Sequence, residues 1–386
     1  MGLYVLKFGG SSVGTTSRIR HAASIVSKFV EAGDGVIVVT SAMQGVTNQL
    51  IELTKSFSDL MAHREYDTVI STGEQIAAGL LALCLCSMNI PSVSMNCWQI
   101  PIRVTGNFSN ANINEINAEA VLSRVQDGIV PVITGFQGVS REDDVMTIGR
   151  GGSDTTACIV AHAVNADECL IYTDVDGVYT ADPRIVLNPK WIKEISYDEM
   201  LALSYGGAKV MQAKSVLIAK QYKLKVRILS SFIESEGTIM TDKTTYINQG
   251  NMVAGIAHNT TLAKLIIHNY GTTEWKDVLN KIEQVNLIQI DGGDLHALVP
   301  KTSISTVKEI LREGYDIEED VGLITVSGHG FKADPSRLIQ ITESIDDSIK
   351  HIVVAENEIS IVAPLQNTEQ IVNILHEALF LDAVNY

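Results

Sequence analysis

The stretch that decides the fold runs from Thr147 to Arg184, TIGRGGSDTTACIVAHAVNADECLIYTDVDGVYTADPR. It reads as a glycine-rich loop, a helix, a buried strand and a second polar loop. Gly149-Arg150-Gly151-Gly152-Ser153-Asp154 opens directly into the helical spacing of Ala157, Ile159, Val160 and Ala163. Adjacent glycines let backbone N–H groups come close to a ligand, at a helix end whose unpaired donors and dipole favour anions. Arg150 adds a planar fork suited to a carboxylate or phosphate. After the strand Cys169-Leu170-Ile171-Tyr172 comes a loop from Thr173 and Asp174 through Tyr179 to Asp182-Pro183-Arg184. In open α/β sheets ligands sit beyond the carboxyl ends of strands, where both loops should lie. Either loop alone reads equally well as ordinary surface. The pair on one helix–strand unit points to a site.

Upstream, the same pattern recurs. Tyr4-Val5-Leu6-Lys7-Phe8 is a short strand running into Gly9-Gly10-Ser11-Ser12, and a helix from Thr16 to Ala32 follows with Ile19, Ala22, Ala23, Val26 and Phe29 at helical spacing. This is a phosphate-cradling arrangement with a lysine at the strand's end, although no Gly-Lys-Ser/Thr closes the loop as in a Walker motif. Gly35 to Thr40 is a continuous apolar run of the buried parallel type. It delivers the polar loop Ser41-Ala42-Met43-Gln44-Gly45-Val46-Thr47-Asn48. A polar insertion, Ser56 to Tyr66, precedes Ser71-Thr72-Gly73-Glu74-Gln75, where either hydroxyl residue is expected to cap the apolar helix Ile76 to Met88. Glu74 reads as a ligand to a cation or, as readily, as a first-turn carboxylate favoured by the helix dipole. Further strands are expected at Pro91 to Met95 and Ile129 to Thr134. Beyond Arg184, a helix from Ile195 to Leu203 leads to Gly206-Gly207-Ala208-Lys209-Val210-Met211, a glycine pair with a lysine read as helical. Lys223 to Ser231 is another strand. This alternation, through about residue 248, indicates one α/β layer domain with a mainly parallel sheet.

The chain of 386 residues is 46% hydrophobic and 19% charged, enough for two or three domains with real cores. A net charge of −16 argues against nucleic acid or an anionic membrane as partner, so an anionic ligand needs locally concentrated Lys and Arg. The apolar run Ile76 to Cys86 is too short to span a bilayer, and the N-terminal residues lack the features of a signal peptide. A cytoplasmic protein is therefore expected. The five cysteines, Cys84, Cys86, Cys97, Cys158 and Cys169, read as free buried thiols, and no zinc or other metal site is indicated.

Around Thr241 to Asn251 the sequence turns polar and loses periodicity, which marks a boundary. Strand-like segments then alternate with helices at Thr273 to Ile282, Ser303 to Glu313, Pro335 to Ser344 and Gln366 to Leu379. This β-α-β-β-α-β rhythm appears about twice and has no glycine–lysine loops. The expected domains are 1–248 and 249–386.

Taken together, KFGGSSVG, SAMQGVTN, STGEQ, GRGGSDTTA, TDVDGVYTADPR and GGAKVM, in that order, resemble the aspartate kinases of the amino-acid kinase superfamily, and the resemblance covers essentially the whole chain. It implies an amino-acid kinase fold, a mainly parallel sheet sandwiched by helices, followed by two ferredoxin-like βαββαβ ACT modules. It also implies ATP with Mg2+, the metal held mainly through the nucleotide phosphates, and L-aspartate as acceptor. By the same resemblance Lys7, Asp154 and Lys209 are catalytic, the lysines neutralising charge and Asp154 orienting them. Arg150 falls to the substrate α-carboxylate and Glu74 to its ammonium group, with Ser41, Thr47, Gly151, Gly152 and Ser153 as further contacts. Lys7, Phe8, Gly9, Gly10, Thr173, Asp174, Tyr179, Arg184, Lys209 and Val210 correspond to the nucleotide site. The ACT modules imply an amino-acid effector, lysine or threonine, and a homodimer or higher homo-oligomer.

Two departures stand out. The family pattern GAKVLHP is here Gly207-Ala208-Lys209-Val210-Met211-Gln212-Ala213. The Pro-Gly turns common in lysine- or threonine-sensing members are here Asn269-Tyr270-Gly271-Thr272 and Ala333-Asp334-Pro335-Ser336. Weakened or altered inhibition is the expectation. A glutamate or acetylglutamate kinase, and a non-catalytic amino-acid-binding paralogue, are the competing readings. The first fits GRGGSDTTA and paired ACT modules less well, and the second predicts loss of Lys7, Asp154 or Lys209, all of which are present.

Overall fold

The computed structural model describes residues 2–57, 63–242, 253–268, 274–282, 285–345 and 349–381. By internal compactness the chain divides into two units. The first comprises Met1–Val178, Lys193–Tyr197 and Val210–Thr244; the second comprises Tyr179–Ile192, Asp198–Lys209 and Thr245–Tyr386. The boundary expected near 248 falls outside the described residues.

In the first unit the elements run β1 (Leu3–Phe8), α1 (Thr16–Glu31), β2 (Gly35–Thr40), α2 (Val46–Lys55), α3 (Arg64–Ile70), α4 (Thr72–Ser87), β3 (Ser92–Met95), β4 (Ile102–Asn107), β5 (Asn110–Ile116), α5 (Ala118–Gln126), β6 (Val130–Thr134), β7 (Gln137–Val139), β8 (Val145–Thr147), α6 (Gly152–Ala163) and β9 (Glu168–Thr173). The central sheet has the order Glu194–Ser196, Thr238–Thr241, Val226–Ser230, β9, β1, β2, β6, β3. Only the pair Val226–Ser230 and Thr238–Thr241 is antiparallel. β2 is buried along its whole length, as its unbroken Val/Ile run requires of a strand covered on both faces. β1 lies at the sheet's centre, with Lys7 opposite Val39 on one side and Ile171 on the other.

Ile19, Ala22, Ala23 and Val26 of α1 share one core with Ala77, Ala78, Leu81 and Leu85 of α4 and with Leu6, Val36, Val38 and Val132 of the sheet. Truncating a fully buried leucine such as Leu81 in that core costs roughly 2–5 kcal/mol. α3 and α4 nearly join, and Arg64–Ser87 is long and apolar enough to cross a membrane by length and composition alone, yet half of its most apolar part is buried inside the protein. The expected cap at Ser71 or Thr72 does not form. Their hydroxyls turn back instead, to the carbonyls of Thr68 and Val69, because the preceding turn is already helical. The expected insertion at Ser56 to Tyr66 lies partly outside the described residues, and its last part is the start of α3. A small sheet, in the order β5-β4-β7-β8, carries a hairpin that the sequence pattern did not reveal. Cys97, Cys158 and Cys169 are buried free thiols as expected, but Cys86 is exposed and Cys84 is half-buried against the core.

The second unit holds two four-stranded sheets. One has the order Leu287–Asp291, Asp294–Pro300, Leu262–Ile267, Tyr315–Glu318, with helices Glu274–Lys281 and Ile304–Ile310 in the connections. That is a complete βαββαβ module. The other has the order Val253–Asn259, Val321–Gly328, Glu358–Pro364, His351–Val354, with helices Ser336–Ser344 and Thr368–His376. Its strand order matches that of the first, but its outer strand, Val253–Asn259, comes first in the chain. One module is thus nested inside the other, an arrangement that a rhythm appearing about twice leaves open. Apolar residues fill a separate core in each, around Leu265, Val278 and Val307 in one and around Ile256, Ile324, Ile361 and Leu375 in the other.

Candidate active site

Lys7 is the penultimate residue of β1, at the carboxyl edge of the sheet, with only Phe8 between it and the turn at Gly9-Gly10. Its Nζ lies 2.5 Å from Oδ1 of Asp154, and both side chains are about nine-tenths buried. Asp154 sits in the first turn of α6, with the helix's positive end behind it and the lysine in front. A Cβ built at Gly9 would stand 3.4 Å from Nζ, at ordinary contact, so the turn lies directly beside the lysine's ammonium. At Gly10 a Cβ would meet the Ala42 carbonyl at 2.9 Å, so the loops after β1 and β2 touch through bare backbone. Ser41 donates its N–H to the Phe8 carbonyl at 3.1 Å, and Thr47 is half-buried in the first turn of α2.

Glu74 enters from another direction, in the first turn of α4, and is 3% exposed. One carboxylate oxygen accepts the Ala42 N–H at 3.0 Å. The other, Oε2, is buried with no hydrogen-bond partner among the described residues. Burial pushes its pKa up to about 7, against the pull of the Ala42 amide. A buried carboxylate with one oxygen unspent is suited to receive a cation.

Arg150 is exposed, on the loop between β8 and α6. That loop is shaped by Gly149 and Gly151, both at positive φ (83° and 69°). At Gly151 a Cβ would strike Gln212 Cγ at 2.2 Å, so the glycine is required twice, by conformation and by space. Gly151 is also the N-cap of α6 and offers no side-chain cap, and Ser153 is buried in the first turn. Two side chains absent from the sequence reading brace this loop. Lys214 donates from Nζ to the carbonyls of Ala111 (2.9 Å) and Ile148 (3.2 Å). Asp67, fully buried on α3, accepts from Thr147 N (2.7 Å) and Oγ1 (3.0 Å) and from Ser109 N (2.9 Å) and Oγ (3.0 Å). No local pattern marks either; an acid on a short polar helix looks like a solvated one.

On the nucleotide side, Thr173 ends β9 and donates to the Asp174 carboxylate at 3.1 Å. Tyr179, Arg184 and Lys209 belong to the second compact unit, and Val210 to the first. Arg184 pairs with Asp182 through Nε (2.9 Å) and Nη2 (2.5 Å), which holds the Asp182 carboxyl below its usual range. Lys209 is not on a helix. The helix Tyr197–Tyr205 stops at Gly206-Gly207, the next begins at Ala213, and Lys209 stands in the connection. Gly207, at φ 106°, breaks the helix where the residues' periodicity would have carried it on. Among the described residues no three His, Cys, Asp or Glu side chains converge on a common point as a metal cage would.

Comparison with known proteins adds the following. Residues 2–230 match the model of the amino acid kinase family. An aspartate kinase of Stutzerimonas stutzeri is 35% identical, over 99% of this chain and 98% of its own length. An aspartokinase of Pseudomonas aeruginosa is 36% identical over the same shares. Among solved structures, Escherichia coli aspartokinase III in complex with aspartate and ADP (R-state) superposes with a TM-score of 0.83 at 22% identity, over 98% of this chain and all of the other. The same enzyme with lysine and aspartate (T-state) gives 0.78 at 23%, over 98% and 99%. These last two likenesses are of fold.

Proposed function

The chain belongs to the amino acid kinase family and, within it, to the aspartate kinases, and we propose how its residues divide the work of phosphorylating L-aspartate. ATP supplies its terminal phosphoryl group to the β-carboxylate, giving 4-phospho-L-aspartate and ADP. A carboxylate oxygen attacks phosphorus and the bond to the ADP oxygen breaks; no proton moves. No general base is needed, and the difficulty is to bring an anion onto a polyphosphate. Catalysis is therefore positioning and charge neutralisation.

Lys7, set by Asp154 beside the Gly9-Gly10 turn, neutralises the transferring phosphoryl group. By the family resemblance Lys209 has the same task, and Thr173, Asp174, Tyr179, Arg184, Phe8 and Val210 fall to the nucleotide. The bare backbone at Gly9 and Gly10 fits the close approach of phosphate oxygens. Magnesium carried on the nucleotide would supply further positive charge there; among the described residues no His, Cys, Asp and Glu cluster would hold it apart from the phosphates. The amino acid is held as a zwitterion, its ammonium on the unspent oxygen of Glu74 and its α-carboxylate on Arg150, with Ser41, Thr47 and the Gly151–Ser153 backbone as further contacts. The observation that carries this reading is the buried Glu74 carboxylate with one oxygen unspent, in the same unit as the Lys7–Asp154 pair. The two nested modules act as ACT modules, pairing chains into a homodimer or higher homo-oligomer and receiving an amino-acid effector. Lysine is named with the Escherichia coli enzyme.

The test is hydroxamate formation with ATP, magnesium and L-aspartate, run beside L-glutamate. Turnover with aspartate only is expected. A folded chain that binds ATP and turns over neither would be a regulatory paralogue.

A further inference from the structure

Asp67 does something in this unit that the reaction chemistry does not ask of it. Fully buried, it has no cation beside it among the described residues and spends its oxygens on four donors, the amides and hydroxyls of Ser109 and Thr147. A buried carboxylate on neutral donors is costly to keep unless its geometry is wanted. The three elements it joins are informative. Asp67 lies on α3, two turns before Glu74 on the nearly continuous α4. Thr147 ends β8, three residues before Arg150. Ser109 is the turn of the β4–β5 hairpin, and its carbonyl stands where a Cβ on Gly149 would meet it at 3.1 Å. A second tie runs alongside, from Gln137 Nε2 to the Ser71 carbonyl at 2.9 Å.

We infer that Asp67 is a positioning residue for amino-acid recognition: by bolting α3 to Thr147 and Ser109 it fixes the distance between Glu74 and Arg150, the two groups that grip the ammonium and the α-carboxylate. This rests on the zwitterion reading of those two residues. Glu74 rides on the helix that Asp67 belongs to, and Arg150 rides on the loop whose root Asp67 holds. Loosening the bolt lets the two charges drift apart, while β1, the Gly9-Gly10 turn and Lys7 are anchored separately in the central sheet. The effect therefore falls on aspartate and spares the nucleotide. A residue that only stabilised the fold would alter both substrates alike or neither.

The experiment is steady-state kinetics of Asp67→Asn, with thermal melting measured on the same preparations. The amide keeps the shape but turns a donor toward donors. Expected is a KM for aspartate raised at least tenfold, a KM for ATP within twofold, and kcat at saturating aspartate within about threefold. Thr147→Val, which deletes one hydroxyl and keeps the amide, should raise the aspartate KM about threefold and add nothing further in the Asp67→Asn background. If Asp67→Asn does not fold, Thr147→Val alone decides the matter. Equal shifts in both KM values, or no shift in the aspartate KM, would overturn the inference. Arg150→Ala separates the two levels: if it leaves the aspartate KM unchanged, the zwitterion reading itself has failed; if it raises that KM while Asp67→Asn and Thr147→Val do not, only the positioning role has.

Discussion

Replacing Glu74 with Gln should make the protein more stable and less able to bind aspartate. The carboxyl is 3% exposed and its pKa is pushed up to about 7, against an ordinary value of 4.5. The folded state therefore holds a proton that the unfolded chain releases more readily. Stability is greatest below pH 4.5, where both states are protonated, and is lost as the pH rises through about 7. A shift of that size corresponds to about 3 kcal/mol once both states are ionised, at roughly 1.4 kcal/mol per pH unit. Glutamine keeps an acceptor for the Ala42 amide and removes the charge. Urea unfolding should show Glu74→Gln more stable by about 3 kcal/mol at pH 8 and unchanged at pH 4. Function should move the other way. Losing the charged partner of a buried ammonium costs about 3 kcal/mol, so the aspartate KM should rise on the order of a hundredfold. In the parent enzyme only the ionised carboxylate receives the substrate, so the aspartate KM should fall about tenfold from pH 6 to pH 8. Equal stability at pH 8, or an aspartate KM within twofold of the parent, would refute the reasoning.

The other expectations concern separate parts of the molecule. Lys7→Ala should lower turnover by about two to three orders of magnitude, as for other preorganised charge stabilisers; turnover within a few-fold of the parent would remove Lys7 from the mechanism. Gly151→Ala places a side chain at a φ of 69° and into Gln212. It should cost about 1–3 kcal/mol in unfolding free energy, and adding Gln212→Ala should recover the steric share alone, which melting of the single and double variants will show. Lysine and threonine, added separately to the aspartate assay, should inhibit weakly, and full inhibition at ordinary metabolite concentrations would contradict the reading of the altered turns. One of those turns, Ala333-Asp334-Pro335-Ser336, is held by an Asp334 carboxylate that accepts the Ser336 amide at 2.9 Å; the other, Asn269–Thr272, lies outside the described residues.

The parts of this protein that could be read from its residues are those whose signal is local. A glycine-rich or polar loop where a strand gives way to a helix is such a signal, and the loops at Gly9-Gly10, Ser41 to Asn48 and Gly149 to Ser153 indicate the α/β class. Lys7 and Asp154 lie far apart in the chain, yet each stood in its own legible motif. Asp67 had no such frame, because its meaning lies in Thr147 and Ser109, which only the tertiary fold brings near. The β4–β5 hairpin stayed hidden for a related reason: its small core of Val104, Ala111 and Met146 is too sparse to impose a period on Gly106–Asn114. Lys209 was misplaced on a helix because apolar spacing continues through Val210, whereas the backbone at Gly207 does not. The nesting of the two small modules was illegible in principle, since strand order in space is not written in strand order along the chain.

That nesting makes one module an insertion in a hairpin of the other. Asn259 lies opposite Leu323 on adjoining antiparallel strands, so the two cut ends of the host sheet are already neighbours. Excising residues 260–320 and closing the gap with a two-residue turn would convert a long excursion into an ordinary hairpin, leaving the host's four strands in their order. The excision would also bare Val321, Leu323 and Val362, which pack against Leu262 and Leu298 of the inserted module, so that face of the host would need polar replacements before it could stand alone.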